Sequence, residues 1–87
     1  MLDGIIFDSD SGLPVENAKV TIFCLKNKKV FETCSDENGA FDLDVNCEEN
    51  IYKIIVFKEG YHFSYTLIES KDKPVRSSLE IALRKRK

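Results

Sequence analysis

Tryptophan is absent from this chain of 87 residues, histidine occurs once, and no Cys-x-x-Cys spacing is present. Helical signals are also missing, because no segment of about 10 residues or more repeats its apolar residues with helical spacing. No apolar run approaches the roughly 18 residues that a membrane-spanning helix needs, and the start Met1-Leu2-Asp3-Gly4 lacks the basic and apolar regions of a secretory signal. These absences predict a soluble, unexported chain without helices and without membrane insertion. A chain whose signal had been removed, or a domain cut from a longer protein, would have the same sequence.

The composition that remains is ordinary for a globular protein. Hydrophobic residues make up 43% of the chain and charged residues 32%, with a formal net charge of −2. Neither disorder nor a fibrous structure fits these values. We therefore expect one small domain over residues 1–87, which buries only roughly 60 to 65% of the surface exposed by the unfolded chain and has a thin margin of stability.

The three cysteines, Cys24, Cys34 and Cys47, leave at least one thiol free in a monomer. A hairpin that turns at residues 26–29 would place Cys24 opposite Phe31, which argues against a bridge between Cys24 and Cys34. The pattern therefore predicts free, partly buried thiols. A single histidine cannot complete a zinc site with cysteines so widely spaced, so we expect no metal held through sulfur.

Short β-strands account for most of the chain. Strand signals fall at residues 2–8, 17–25, 29–35, 40–46, 51–58, 61–69 and 76–84, with turn-forming residues between them. Alternation of apolar and polar residues is clearest from Phe41 to Asn46, where Phe41, Leu43 and Val45 share one face. Such alternation predicts an all-β fold, a two-layer sandwich of seven antiparallel strands in which each sheet has one solvent-exposed face.

The fifth strand departs from this alternation. If Ile54 and Val56 join the core, then Ile55 and Phe57 point away from it. A central strand shielded by its neighbours would explain this, and so would an interface patch. Ile55 and Phe57 are therefore the candidate interface residues.

Several short motifs, taken in order, resemble the carboxypeptidase regulatory-like domain, which has a transthyretin-like (prealbumin-like) Greek-key sandwich. They are Gly4-x-Ile6-x-Asp8, Gly12-Leu13-Pro14-Val15-x-x-Ala18-x-Val20, Thr33-x-x-Asp36-x-x-Gly39-x-Phe41, Tyr52-x-Ile54-x-Val56, Gly60-Tyr61 and Leu79-x-Ile81-x-Leu83. The resemblance covers nearly the whole chain, and the order and spacing of the motifs are more specific than any one of them.

The resemblance implies an accessory sandwich attached to peptidases, surface proteins, outer-membrane receptors or adhesins, usually without chemistry of its own. It favours a cell-surface or secreted setting and a chain that is part of a larger protein. This chain departs from the usual pattern in being short, in containing cysteine and in ending with Arg84-Lys85-Arg86-Lys87, a basic tail over residues 84–87.

Catalysis is not expected. Hydroxyisourate hydrolases, which are similar to transthyretin in fold, use several histidines, an arginine and a Tyr-Arg-Gly-Ser ending, and this chain has only His62 and a basic ending. No nucleophile-elbow motif accompanies His62, which follows a turn where a solvated imidazole is the usual outcome. We expect neither an enzyme nor a bound cofactor.

Charge is divided unevenly along the chain. Residues 1–50 carry four basic and eleven acidic residues, whereas residues 51–87 carry nine basic and four acidic ones. Because consecutive antiparallel strands alternate in direction, the turns at 8–14, 35–39 and 58–61 should lie at one end of the sandwich, together with the C-terminal tail. The tail is therefore expected to fold back over an acidic rim.

That acidic rim is a candidate calcium site, since calcium takes six to eight oxygen ligands from flexible loops. Its members would be Asp8, Asp10, Asp36, Glu37 and Glu59. The segment from Asp8 to Gly12 places its glycine one position too early for an EF-hand loop and lacks the distal glutamate of that loop. A solvated rim, partly neutralised by the basic tail, is the simpler interpretation.

The basic tail raises nucleic acid or an anionic membrane surface as alternative partners. Four charges on an acidic domain, without interleaved aromatic residues, do not favour nucleic acid. We expect a noncatalytic interaction module for a protein or carbohydrate partner, whose loops and exposed sheet edge supply the binding surface. The alternative is a structural module that self-associates through an edge strand, so that the chain is a monomer or a weak homo-oligomer.

Overall fold

The computed structural model describes residues 2–26, 28–44, 51–69 and 77–86. These residues form seven β-strands and no helix. The strands are β1 (Leu2–Asp8), β2 (Lys19–Cys24), β3 (Val30–Cys34), β4 (Ala40–Leu43), β5 (Ile51–Phe57), β6 (Ser64–Glu69) and β7 (Ser77–Leu83). With no helix of any length in the described ranges, none is available there to cross a membrane.

All seven strands lie where the sequence predicts them, and they differ from the predictions mainly at the ends. The predicted β6 began at residue 61, three residues before the observed start at Ser64. Val45 and Asn46 of the predicted fourth strand lie outside the described residues, as do residue 76 and Lys87 of the tail. Alternation of side chains between the two faces of each strand explains why the strands could be read from the sequence.

The strands form two sheets whose inner faces share one hydrophobic core. The three-stranded sheet has the order β4-β1-β7, and the four-stranded sheet has the order β3-β2-β5-β6. The core residues come from both sheets and from the β1–β2 connection; they are Leu2, Ile6, Val15, Ala18, Val20, Ile22, Cys24, Phe41, Tyr52, Ile54, Val56, Ile81 and Leu83. Every connection except the β2–β3 and β5–β6 hairpins passes from one sheet to the other.

The expectation of a purely antiparallel sandwich is wrong at one place, because β1 and β7 pair in parallel over their whole length. The cause is the alternation of strand direction itself. Seven consecutive strands that alternate in direction leave the first and the seventh pointing the same way, so they are parallel when they are neighbours. The other four strand pairs, including β1–β4 and β2–β5, are antiparallel.

The register of the β2–β3 hairpin also differs from the prediction. Phe31 lies opposite Ile22, and Cys34 lies opposite Lys19, while the backbone N–H of Cys24 donates to the carbonyl of Lys29. The turn thus lies one residue earlier in the chain than expected, which moves the register by two residues along β3.

The cysteines differ from the prediction as well. Cys34 is an exposed free thiol, as an odd number of cysteines requires for at least one of them. Cys24, in contrast, is buried and takes part in a disulfide, so the expectation of free thiols throughout is wrong. Burial at the end of β2 reduces the exposure of this sulfur but does not prevent its oxidation. Cys47 lies outside the described residues.

Candidate functional site

Asp8 is the most buried charged residue of the described chain and lies at the end of β1. Its Oδ1 accepts hydrogen bonds from the backbone N–H groups of Asp10 and Ser11, at 2.8 and 3.0 Å. Its Oδ2 accepts a bond of 2.9 Å from the Tyr61 hydroxyl and lies 3.6 Å from the Nζ of Lys85. This carboxylate therefore holds together the first turn, the β5–β6 connection and the C-terminal tail.

These hydrogen bonds stabilise the ionised form of the carboxyl. The N–H groups of Ser11 and Asp10 contribute most, followed by the Tyr61 hydroxyl and the charge of Lys85, and together they lower the pKa of Asp8 from 3.8 to about 2. The same contact raises the pKa of Tyr61, because a phenolate would face the Asp8 carboxylate. Asp8 is thus a structural anion at neutral pH.

The other rim carboxylates do not join Asp8 in a cation site. The carboxylate of Asp36 stabilises its own turn, since its Oδ1 accepts hydrogen bonds from the N–H groups of Asn38 and Ala40 at 2.8 and 2.9 Å. Asp10, Glu37 and Glu59 are exposed. Within residues 2–26, 28–44, 51–69 and 77–86, no three His, Cys, Asp or Glu side chains are grouped so that they could hold a metal ion.

The C-terminal tail lies at the end of the sandwich that carries the acidic rim, as the alternation of strand direction predicted. The N–H of His62 donates to the carbonyl of Arg84 at 2.8 Å, and the N–H of Arg86 donates to the carbonyl of Gly60 at 2.9 Å. The tail therefore pairs with the β5–β6 connection, and only Lys85 reaches an acidic partner among the described residues of the rim. The imidazole of His62 is exposed and has no described contact with a cysteine or a carboxylate.

Ile55 and Phe57, the candidate interface residues, belong to a large apolar surface, with Ile55 inside β5 and Phe57 at its end. Ile55 is half-buried, and 50% of Phe57 is exposed. Further outward residues from all four strands of the larger sheet extend this surface, as does Phe63 directly before β6. We call it the apolar face, and its members are Phe23, Val30, Ile55, Phe57, Phe63, Tyr65 and Leu67.

Strand register explains why the members of the apolar face are contiguous. Tyr65 lies directly opposite Ile55 across β5 and β6, and Leu67 lies opposite Lys53 in the same pair. On the other side of β5, Lys53 lies opposite Phe23, which in turn pairs with Val30. Directly opposite residues project to the same side of a sheet, so these side chains form continuous rows.

Charged groups on the apolar face are few. The ammonium of Lys19 lies 3.6 Å from the carboxylate of Glu32. The ammonium of Lys53 lies over the ring of Tyr65, 5.7 Å from its centre, within the range of a cation–π interaction. Lys53 has no carboxylate partner among the described residues, and apolar side chains flank it on both sides.

The outer face of the three-stranded sheet has the opposite character. It carries a groove of about 810 Å³ whose carboxylates are Asp3, Asp36, Asp42 and Glu80. Across β1 and β4, Asp3 lies opposite Asp42, and the Ser78 hydroxyl donates to Asp3 at 2.7 Å. Ile5, half exposed, lies in the middle of this surface. We call it the acidic face, and its members are Asp3, Ile5, Ala40, Asp42, Ser78 and Glu80.

Sequence reasoning identified two members of the apolar face and missed the rest. Phe23, Tyr65 and Leu67 belong to strands that read as ordinary alternating segments, and which side of a strand faces water depends on sheet pairing. The acidic face was missed because it also depends on sheet pairing. Its carboxylates Asp3, Asp42 and Glu80 come from three separate strands, and only the pairing of those strands brings them together. An excess of apolar residues at the predicted outward positions of strands 2, 5 and 6 was the available signal.

No protein-family model matches the chain, and no curated protein is significantly similar to it in sequence.

Proposed function

We propose that this chain is a noncatalytic interaction module that binds a protein partner through its apolar face. The observation that carries the proposal is a set of continuous rows of exposed aromatic and aliphatic side chains on one side of a small sandwich. The resemblance to the carboxypeptidase regulatory-like domain supports the same function, since such domains are accessory modules. The two sheets and the connections that switch between them support its Greek-key, transthyretin-like form.

The size of the apolar face supports a role in binding. An aromatic side chain presents about 150 to 250 Å² in full. Ile55 is half-buried, and the other six members of this face, exposed from 40% for Phe23 to 68% for Phe63, leave on the order of 600 Å² of apolar surface in water. The largest apolar patch on a monomer is usually about 300 to 600 Å² and is often functional. A protein interface buries about 800 Å² of each partner.

The chemistry of the apolar face favours a protein over a carbohydrate. A carbohydrate needs many hydrogen-bonding groups beside the aromatic rings, whereas the polar groups here, among the described residues, are the Thr21 and Tyr65 hydroxyls, two lysines, Glu32 and the Cys34 thiol. Most of the surface is Phe, Ile, Leu and Val, which is typical of the buried centre of a protein interface. The Cys24 disulfide supports a surface or secreted setting, where disulfides persist.

Selection of displayed peptides on the purified domain tests this function, because a random peptide library samples many partner chemistries at once. We expect the domain to enrich apolar peptides, and Phe57→Asp to weaken their binding more than tenfold without loss of the β-sheet circular dichroism. Leu13→Asp is the matched control, since Leu13 is 64% exposed but lies in the first turn. The proposal is wrong if Phe57→Asp binds as wild type does, or if the peptides map by NMR to another surface.

A further inference from the structure

The apolar face, if it is covered as the proposed function requires, needs a carboxylate from its partner. Lys53 is half-buried between Phe23 and Leu67, and its described contact is with the Tyr65 ring. A surface laid over these side chains would remove the Lys53 ammonium from water. Burying a cation without an anion is strongly unfavourable, so a complementary surface must place an acidic group near it.

The acidic face of the same chain has this chemistry. Asp3, Asp42 and Glu80 surround Ile5, and none of the three has a lysine or arginine partner among the described residues. The direct juxtaposition of Asp3 and Asp42 is unfavourable because like charges face each other across a strand pair. A cation from another molecule would relieve this repulsion.

The shape of the acidic face and the positions of the two faces are also compatible with docking of one face on the other. The acidic face carries a groove of about 810 Å³, into which exposed side chains of another molecule can enter. The two faces lie on the outer sides of different sheets and so point in opposite directions. Contact between unlike faces of identical chains is heterologous and repeats from one copy to the next.

We propose that the apolar face docks onto the acidic face of a second copy of this chain, with Lys53 directed at the carboxylates around Ile5, so that copies stack head to tail. The inference rests on the proposed function, because it names the partner of the same surface. The stack combines burial of apolar surface with attraction between exposed charges, and salt weakens the second contribution.

Complementary variants test the stack by analytical ultracentrifugation of the whole chain. Phe57→Asp blocks the apolar face and Ile5→Lys blocks the acidic face, and both side chains are half exposed, so both variants should fold. Wild type should associate in steps as concentration rises, more than tenfold more weakly at about 0.5 M than at about 0.05 M salt. Each variant alone should be a monomer, while an equimolar mixture should form a dimer that does not grow.

Other outcomes overturn the stack in distinguishable ways. A dimer of Ile5→Lys alone would mean that two apolar faces pair with each other, and association that survives both substitutions would mean pairing of edge strands. A wild-type chain that stays monomeric, or a mixture that does, also rejects the stack. In that case a loss of peptide binding in Phe57→Asp would still leave the proposed function standing. Lys53→Glu is a second variant that should abolish the stack if Phe57→Asp fails to fold.

Discussion

The hydroxyl of Tyr61 donates to Oδ2 of Asp8 over 2.9 Å, and this bond ties the four-stranded sheet to the three-stranded sheet at one end of the sandwich. Tyr61 follows β5 directly after its turn, and Asp8 ends β1. Few polar side-chain contacts in the described chain link elements so distant in sequence. Loss of this bond should therefore loosen the C-terminal tail as well as the turn.

We predict that Tyr61→Phe lowers the midpoint of thermal unfolding by several degrees, because the buried carboxylate loses a donor and keeps its charge. It should also increase hydrogen exchange at the N–H of Arg86. Tyr65→Phe removes an equal group from the apolar face and should leave the midpoint unchanged. Equal midpoints for Tyr61→Phe and wild type would contradict the role given to this contact.

The lowered pKa of Asp8 predicts how stability depends on acid. The folded carboxyl, with a pKa of about 2, binds a proton less readily than the unfolded one at 3.8. The unfolded state is therefore protonated first, and the stability due to Asp8 is present above about pH 4 and is lost as the pH falls through about 2. Chemical unfolding at a series of acid pH values measures this loss.

Asp8→Asn should flatten the acid dependence of the free energy of unfolding in that range. Asp10→Asn serves as control, because Asp10 donates its backbone N–H to Asp8 but its own carboxylate is exposed. The same slope in Asp8→Asn and wild type would show that the acid sensitivity comes from another group.

Ser35 is a buried residue of the β3–β4 connection, and its hydroxyl joins this connection to the one between β1 and β2. Its hydroxyl donates to the carbonyl of Val15 at 2.7 Å and accepts from the N–H of Ala18 at 2.8 Å. Ser35→Ala leaves both backbone groups without this partner in a buried place and should reduce the free energy of unfolding by about 1 to 3 kcal/mol. Urea unfolding measures the change. Ser11→Ala, which removes an exposed hydroxyl bonded to the N–H of Leu13, should have little effect.

Gly39 and Gly12 form a matched pair at two turns. Both have φ of +74°, but a Cβ at Gly39 would collide with the carbonyl oxygen of Ile6, whereas one at Gly12 meets open space. Both alanine variants should lose about 1 to 2 kcal/mol from the left-handed backbone. Gly39→Ala should lose about 1 to 3 kcal/mol more because of the collision. Equal losses in the two variants, measured by urea unfolding, would contradict the close packing of the β3–β4 corner on β1.

The order and span of the strands could be predicted because alternation is a local property of the sequence. The inward positions of β5, such as Ile54 and Val56, followed from that rule and are buried. The role of Asp8 could not be predicted, because its partners Tyr61 and Lys85 are more than 50 residues away and meet it only after the sheets pack. The parallel pairing of β1 with β7 depends in the same way on which strands become neighbours.

In its native setting, the protein is expected to have its apolar face covered by a partner. Hydroxyl-radical footprinting, read by mass spectrometry, measures side-chain exposure in the purified domain, diluted until it is monomeric, and in a native extract. We predict that Phe57, Phe63 and Tyr65 are oxidised in the purified domain and protected in the extract, while Leu13 is oxidised equally in both. Equal oxidation of the three aromatic residues in the two samples would contradict the claim.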